Sequence, residues 1–137
     1  MLNILGRGRP KGSNESKLQE RIRRDAEAHP DRRQVVIYLG DYIDRGPESR
    51  EVLEHLIAHP PAGMESIHMM GNHEQGLLGF LRDPDACTAW LMYGGLATLA
   101  SYGIGRWADG FEKPPSRLAH ELQRAMPESH HRFLERL

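Results

Sequence analysis

Two short apolar runs, each ending in glycine and a polar cluster, set the pattern of this chain. Val35-Val36-Ile37-Tyr38-Leu39 leads into Gly40-Asp41-Tyr42-Ile43-Asp44-Arg45-Gly46, and Ile67-His68-Met69-Met70 leads into Gly71-Asn72-His73-Glu74. Runs of this length, rich in β-branched and aromatic residues, predict strands near 35–39 and 65–70. Between them Pro47 opens a helical pattern carried by Val52, Leu53, Leu56 and Ile57, and Pro60-Pro61-Ala62-Gly63 ends it. Strand, helix, strand predicts a parallel βαβ unit with a right-handed crossover. The carboxyl ends of both strands then point the same way, so the two polar clusters meet in one crevice.

The remaining pattern is helical. Leu18, Ile22 and Ala26 recur every four residues and predict an amphipathic helix over 16–29, with Arg21, Arg23 and Arg24 on a solvated face. Leu77, Leu78, Phe80 and Leu81 predict a helix from His73 to Pro84. A further helical piece is expected around Ala86–Met92, a turn at Gly94-Gly95, and a short helix over Leu96–Ala100. Trp107 to Pro115 reads as loop. Pro114-Pro115 then opens a helix through Leu118, Leu122 and Met126, and Glu128–Leu137 is helical through Phe133, Leu134 and Leu137. His130-His131 lies in a polar helical context and is expected on the surface.

The chemistry of the two clusters is specific. One loop offers two carboxylates and a guanidinium, the other an amide oxygen and an imidazole, a set suited to a metal ion that holds a phosphate ester. Gly40-Asp41, Asp44-Arg45-Gly46 and Gly71-Asn72-His73-Glu74 together resemble the second and third motifs of the phosphoprotein-phosphatase type of calcineurin-like metallophosphoesterases. The nearer likeness is to bacterial serine/threonine phosphatases and diadenosine-tetraphosphatases. Trp90 and Gly94–Gly103 resemble the accessory segment of those enzymes.

The resemblance implies roles. Asp41 would bridge two metals and Asn72 would bind the second, with manganese first among the divalent ions and iron, zinc or magnesium as alternatives. His73 would be the general acid, Asp44 would hold its ring, and Arg45 would grip phosphate oxygens. Singly, each also reads as an ordinary turn, cap or surface residue; the paired motifs in order carry the reading. Glu74, Tyr42 and the glycines are expected to shape the loops, with Gly40 and Gly46 easing tight turns.

Composition and charge change this picture at the N-terminus. Residues 1–33 hold nine Lys/Arg against five Asp/Glu, and residues 34–137 hold nine against fourteen, so +4 and −5 give the net −1. The family's first metal motif would fall, without gaps, on Gly6-Arg7-Gly8-Arg9-Pro10, with Arg7 and Arg9 where an Asp and a His should stand. Residues 1–15 are therefore read as a basic Gly/Pro-rich tail, and 16–137 as a partial metallophosphoesterase domain. No later segment matches the strands that would supply two more histidines and an arginine. The expected fold is thus α/β: an incomplete phosphatase sandwich, a βαβ core with accessory helices and the C-terminal strands absent.

The function expected is metal-dependent hydrolysis of a phosphoprotein or a dinucleoside polyphosphate, with the chain impaired. Two other classes compete. Arg7-Gly8-Arg9-Pro10-Lys11 resembles an arm lying in the minor groove of A/T-rich DNA. A non-catalytic remnant would instead pair an open, apolar sheet edge with a partner or a second copy. One cysteine, Cys87, excludes an internal disulfide. With no spanning apolar run and no signal-like start, the expectation is a cytoplasmic protein without a membrane partner.

Overall fold

The computed structural model describes residues 15–105 and 113–137. The expected tail, the metal-motif positions Arg7 and Arg9 and the proposed DNA arm lie outside those residues, as does most of the loop from Trp107. Among the described residues the order is α1 (Glu15–Glu27), β1 (Val35–Tyr38), α2 (Ser49–Ala58), β2 (Glu65–His68), α3 (Asn72–Arg82), a π-helical turn (Leu91–Gly95), α4 (Leu96–Ser101), α5 (Pro115–Ala125) and α6 (Glu128–Glu135).

β1 and β2 pair in parallel, with Val35 opposite Glu65 and Tyr38 opposite His68. The ladder outlasts the regular strand, since Met69 N–H donates to the Tyr38 carbonyl at 2.9 Å. This is a mixed helix-and-sheet fold around a small parallel sheet. Helix boundaries follow local chemistry. α5 begins on Pro115 with Pro114 as its cap, where a missing N–H costs nothing. α2 starts at Ser49, so Pro47 sits in the turn ahead of the helix and not in its first turn. Of the helical piece expected around Ala86–Met92, residues 84–88 are a turn, and helix begins at residue 89 and runs to a kink at Gly94, whose φ is +120°.

The core lies on one side of the sheet. α2 packs on α4 and α6, and α3 packs on α5 and α6, around Leu53, Leu77, Phe80, Leu99, Leu118 and Leu122. α6 reaches the sheet through Phe133, whose ring meets His68 edge-on at 5.1 Å, while His68 stacks on Tyr38 at 4.6 Å. The other face is the unexpected one. Strand residues alternate between faces, and here Val35, Ile37, Leu39, Ile67 and Met69 all point away from the helices. Ile37 is 53% exposed and Leu39 57%. Apolar exposure thus falls on a whole face, not only along an edge, because the inward positions are Val36, Tyr38, Ser66 and His68.

His130 corrects another expectation. It is buried, with 2% exposure, and its Nδ1 lies 2.7 Å from the Tyr102 hydroxyl. His131 is half-buried. Position 130 shares the inward face of α6 with Leu134 one turn later, so the helix carries the imidazole into the core. Burial raises the Tyr102 phenol and lowers His130, with Glu54 opposing that shift and Arg50 and His131 adding to it. The two groups close one hydrogen bond inside the core.

A pH dependence follows. A histidine held neutral in the fold takes up a proton more readily when unfolded, so the unfolded chain binds more protons below about pH 6.5. Stability is fully present above that pH and is lost as pH falls toward the depressed folded value. His68, lowered by burial, acts in the same direction. Thermal unfolding across pH 5 to 7.5 is expected to show the midpoint falling on the acid side, and His130→Gln to flatten the slope. An unchanged slope in that variant would remove His130 from the explanation.

Candidate active site

The two polar clusters touch through their backbones. Gly40 has φ +91°, and a Cβ built on it would stand 2.4 Å from the Gly71 nitrogen; one built on Gly71 would stand 2.3 Å from Asp41 Oδ1. Neither position admits a side chain, which explains a glycine at the end of each strand. Gly46 does not share that role: its φ is not positive, and a Cβ there would meet nothing within 4 Å.

Glu74 ties the loops together. It is fully buried, and its Oε2 accepts the N–H groups of Asp41 and Gly71, both at 2.9 Å, while Oε1 accepts that of Tyr42 at 2.7 Å. The Tyr42 hydroxyl bonds back to the carbonyls of Met69 and Tyr38, and burial pushes its phenol up to about 12. With these groups fixed, Asp41 is held at φ +59° and Asp44 at φ +86°. Non-glycine residues adopt such angles at a cost of about 1–3 kcal/mol each, and Asp tolerates them better than most. Strained backbone at both carboxylates is a feature of functional loops.

Asp44 is the centre of the buried polar network. Its Oδ2 accepts from His73 Nδ1 at 2.7 Å and from the Trp90 indole at 2.8 Å; its Oδ1 accepts from the Thr98 hydroxyl at 2.7 Å. Its own N–H donates to Thr98 Oγ1 and Ser49 Oγ. Burial pushes the Asp44 carboxyl above its ordinary value, and the bonds from Thr98, His73 and Trp90 pull it back.

The His73–Asp44 bond fixes the tautomer: Nδ1 carries the hydrogen toward Asp44, which leaves Nε2 as the working atom. That Nε2 is buried and has no hydrogen-bond partner among the described residues. The backbone N–H of His73 faces Asp41 Oδ1 at 3.4 Å. Asn72 opens α3 from an exposed position, and Arg45 is exposed and forms no ion pair among the described residues. The structure therefore brings Asp41, Asp44, Arg45, Asn72 and His73 to one end of the sheet.

Trp90, Thr98 and Ser49 carry the network and had no role assigned from the sequence. The likeness of Trp90 and Gly94–Gly103 to an accessory segment was the available signal, and it pointed to the right stretch without naming the atoms.

As a metal centre the set among the described residues is incomplete. Asp41 and Asn72 offer two oxygens, and no group of three or more His, Cys, Asp or Glu side chains able to hold a metal occurs among the described residues. Two protein oxygens do not enclose a divalent ion or fix a two-metal spacing.

No helix among the described residues is long and apolar enough to cross a membrane. Neither curated proteins nor solved structures gave a match to this chain. A family model did: that of the calcineurin-like phosphoesterases matches residues 13–123, a span that holds both strand-end clusters and the Asp44 network. By that match the chain belongs to the calcineurin-like phosphoesterase family, whose members are metal-dependent phosphoester hydrolases.

Proposed function

We propose that this chain handles phosphate esters of the phosphoprotein or dinucleoside-polyphosphate kind, with His73 as proton donor to the leaving oxygen. The observation that carries the reading is the buried His73–Asp44 pair, whose Nε2 has no partner among the described residues, with the exposed Arg45 following Asp44 in the chain. Asp44 orients the ring so that Nε2 is the atom left for proton transfer to a leaving oxygen. Arg45 offers a planar fork of donors matched to phosphate oxygens. Asp41 and Asn72 are the positions that would hold metal, manganese first. With only those two oxygens, turnover is expected to be weak.

The test compares p-nitrophenyl phosphate, whose leaving group departs without a proton, with phenyl phosphate, whose leaving group needs one. With Mn²⁺ added, weak turnover of both is expected, and Asp41→Asn should remove it. His73→Asn should lower the phenyl phosphate rate by roughly tenfold or more while sparing p-nitrophenyl phosphate. Equal losses on both esters would rule out His73 as the acid. Strong turnover by the natural chain would show that more ligands than Asp41 and Asn72 take part.

A further inference from the structure

Asp44 Oδ2 accepts from two side chains at once. His73 Nδ1 lies 2.7 Å from it and the Trp90 indole Nε1 2.8 Å. At the other oxygen the Thr98 hydroxyl donates to Oδ1 at 2.7 Å, and it also accepts the Asp44 N–H at 3.0 Å. Thr98 thus grips the side chain and the backbone of one residue. All four side chains are buried, those of Asp44 and Thr98 completely. Donors on both oxygens fix the carboxylate plane, since turning it about the Cβ–Cγ bond breaks the bonds to Trp90 and Thr98 together.

The indole is itself held. A Cβ on Gly76 would stand 2.8 Å from Trp90 Cδ1, and one on Gly95 2.6 Å from Trp90 Cδ2, so two glycine backbones press on the ring. Phe80 packs on it with ring centroids 5.0 Å apart. Gly76 and Phe80 follow His73 on one face of α3, one and two turns later. The helix that carries the imidazole therefore also carries part of the seat of the indole. A buried indole N–H needs an acceptor, and any carbonyl would serve. Here it is aimed at the oxygen that receives the His73 hydrogen.

We propose that Trp90 and Thr98 are positioning residues for proton transfer by His73. They lock the Asp44 carboxylate in the orientation that keeps a ring hydrogen on Nδ1 and leaves Nε2 for the departing oxygen. The proposal rests on the reading of His73 as the proton donor. A histidine in water favours its hydrogen on Nε2, and in a protein the partner of the other nitrogen decides the tautomer. Asp44 imposes the reverse assignment only while it is held. With one fastening removed the carboxylate swings, and the ring samples both forms.

The test is long-range proton–nitrogen correlation NMR of the full chain, recorded where the ring is neutral, which reports the nitrogen that carries the hydrogen. The natural chain is expected to show His73 with its hydrogen on Nδ1. Trp90→Phe keeps an aromatic ring and removes the donor; Thr98→Val keeps the shape and removes the hydroxyl. Each should raise the other tautomer about tenfold, the weight of one hydrogen bond. Thr98→Ser, which keeps the hydroxyl, should restore the natural spectrum. A role in packing alone would lower the thermal midpoint of the variants and leave the tautomer unchanged, and that result would overturn the proposal. So would a natural chain with the His73 hydrogen on Nε2. Should Trp90→Phe not fold, the Val and Ser variants at Thr98 decide.

Turnover with Mn²⁺ separates the proposal from the reading beneath it. Thr98→Val should lower kcat on phenyl phosphate about threefold more than on p-nitrophenyl phosphate, with KM little changed. If His73→Asn slows both esters equally, the reading of His73 as the acid fails. If His73→Asn is selective and Thr98→Val is not, the positioning role fails alone.

Discussion

Asp44→Ala is expected to lower the unfolding free energy by about 3–5 kcal/mol, read from urea denaturation. The substitution removes the acceptor of three donors at once. The Thr98 hydroxyl can turn to Ser49 Oγ, 3.1 Å away, but His73 Nδ1 and the Trp90 indole are left buried without a partner. Each orphaned donor costs about 1–3 kcal/mol. An alanine at φ +86° adds strain that aspartate bears more easily. Against this, removing a buried carboxylate recovers its desolvation penalty, which keeps the total from being larger. For a domain with about 5–15 kcal/mol of stability, the loss would leave a substantial unfolded fraction near physiological temperature.

Asp44→Asn separates the charge from the shape. Asparagine tolerates positive φ and keeps one oxygen, so about half the loss is expected, with its amide group now facing a donor. If Asp44→Ala stays within about 1 kcal/mol of the natural chain, the network is not holding the fold and the strain at Asp44 needs another explanation.

Glu74→Ala is expected to cost a similar amount, about 3–5 kcal/mol, for a different reason. Here the orphans are backbone N–H groups of Asp41, Tyr42 and Gly71, which belong to both motif loops. Among the described residues no other acceptor is bonded to them, and Gly40 and Gly71 sit too close for a side chain to fill the gap. Hydrogen exchange gives the sharper reading. The amides of Asp41, Tyr42 and Gly71 should lose protection together, while those in α5, which are not bonded to Glu74, change only with global stability. Glu74→Gln keeps an oxygen for Tyr42 and should retain about half the protection energy. Unchanged exchange at Asp41 and Gly71 in Glu74→Ala would show that strand pairing alone holds the loops together.

These two variants mark where sequence reasoning reached and where it stopped. Glu74 was assigned to shaping the loops, which is what its three N–H bonds do, but the sequence could not say that one carboxylate serves both loops. Asp44 was read as the partner of His73, and the 2.7 Å bond is there. That the same carboxylate also anchors Trp90 and Thr98, 46 and 54 residues later, is not written in any local pattern.

The periodicity of the chain by itself determined the order of elements, the parallel pairing and the convergence of Asp41, Asp44, Arg45, Asn72 and His73. Those features depend on neighbours a few residues apart: a strand of four or five residues, a glycine where no side chain fits, a helix that must start on the next polar residue. Tertiary structure decided the rest. His130 stands one turn before Leu134 on the inward face of α6, and the Tyr102 hydroxyl, 28 residues earlier in the chain, supplies the partner that lets a polar ring be buried there. The sheet could have buried either face, and α6, through Phe133, took the side bearing Tyr38 and His68, which left Ile37 and Leu39 outside. Local sequence fixes which residues share a face, because that follows from backbone geometry. Which face is covered depends on the packing energy of distant elements, and no short-range pattern records it.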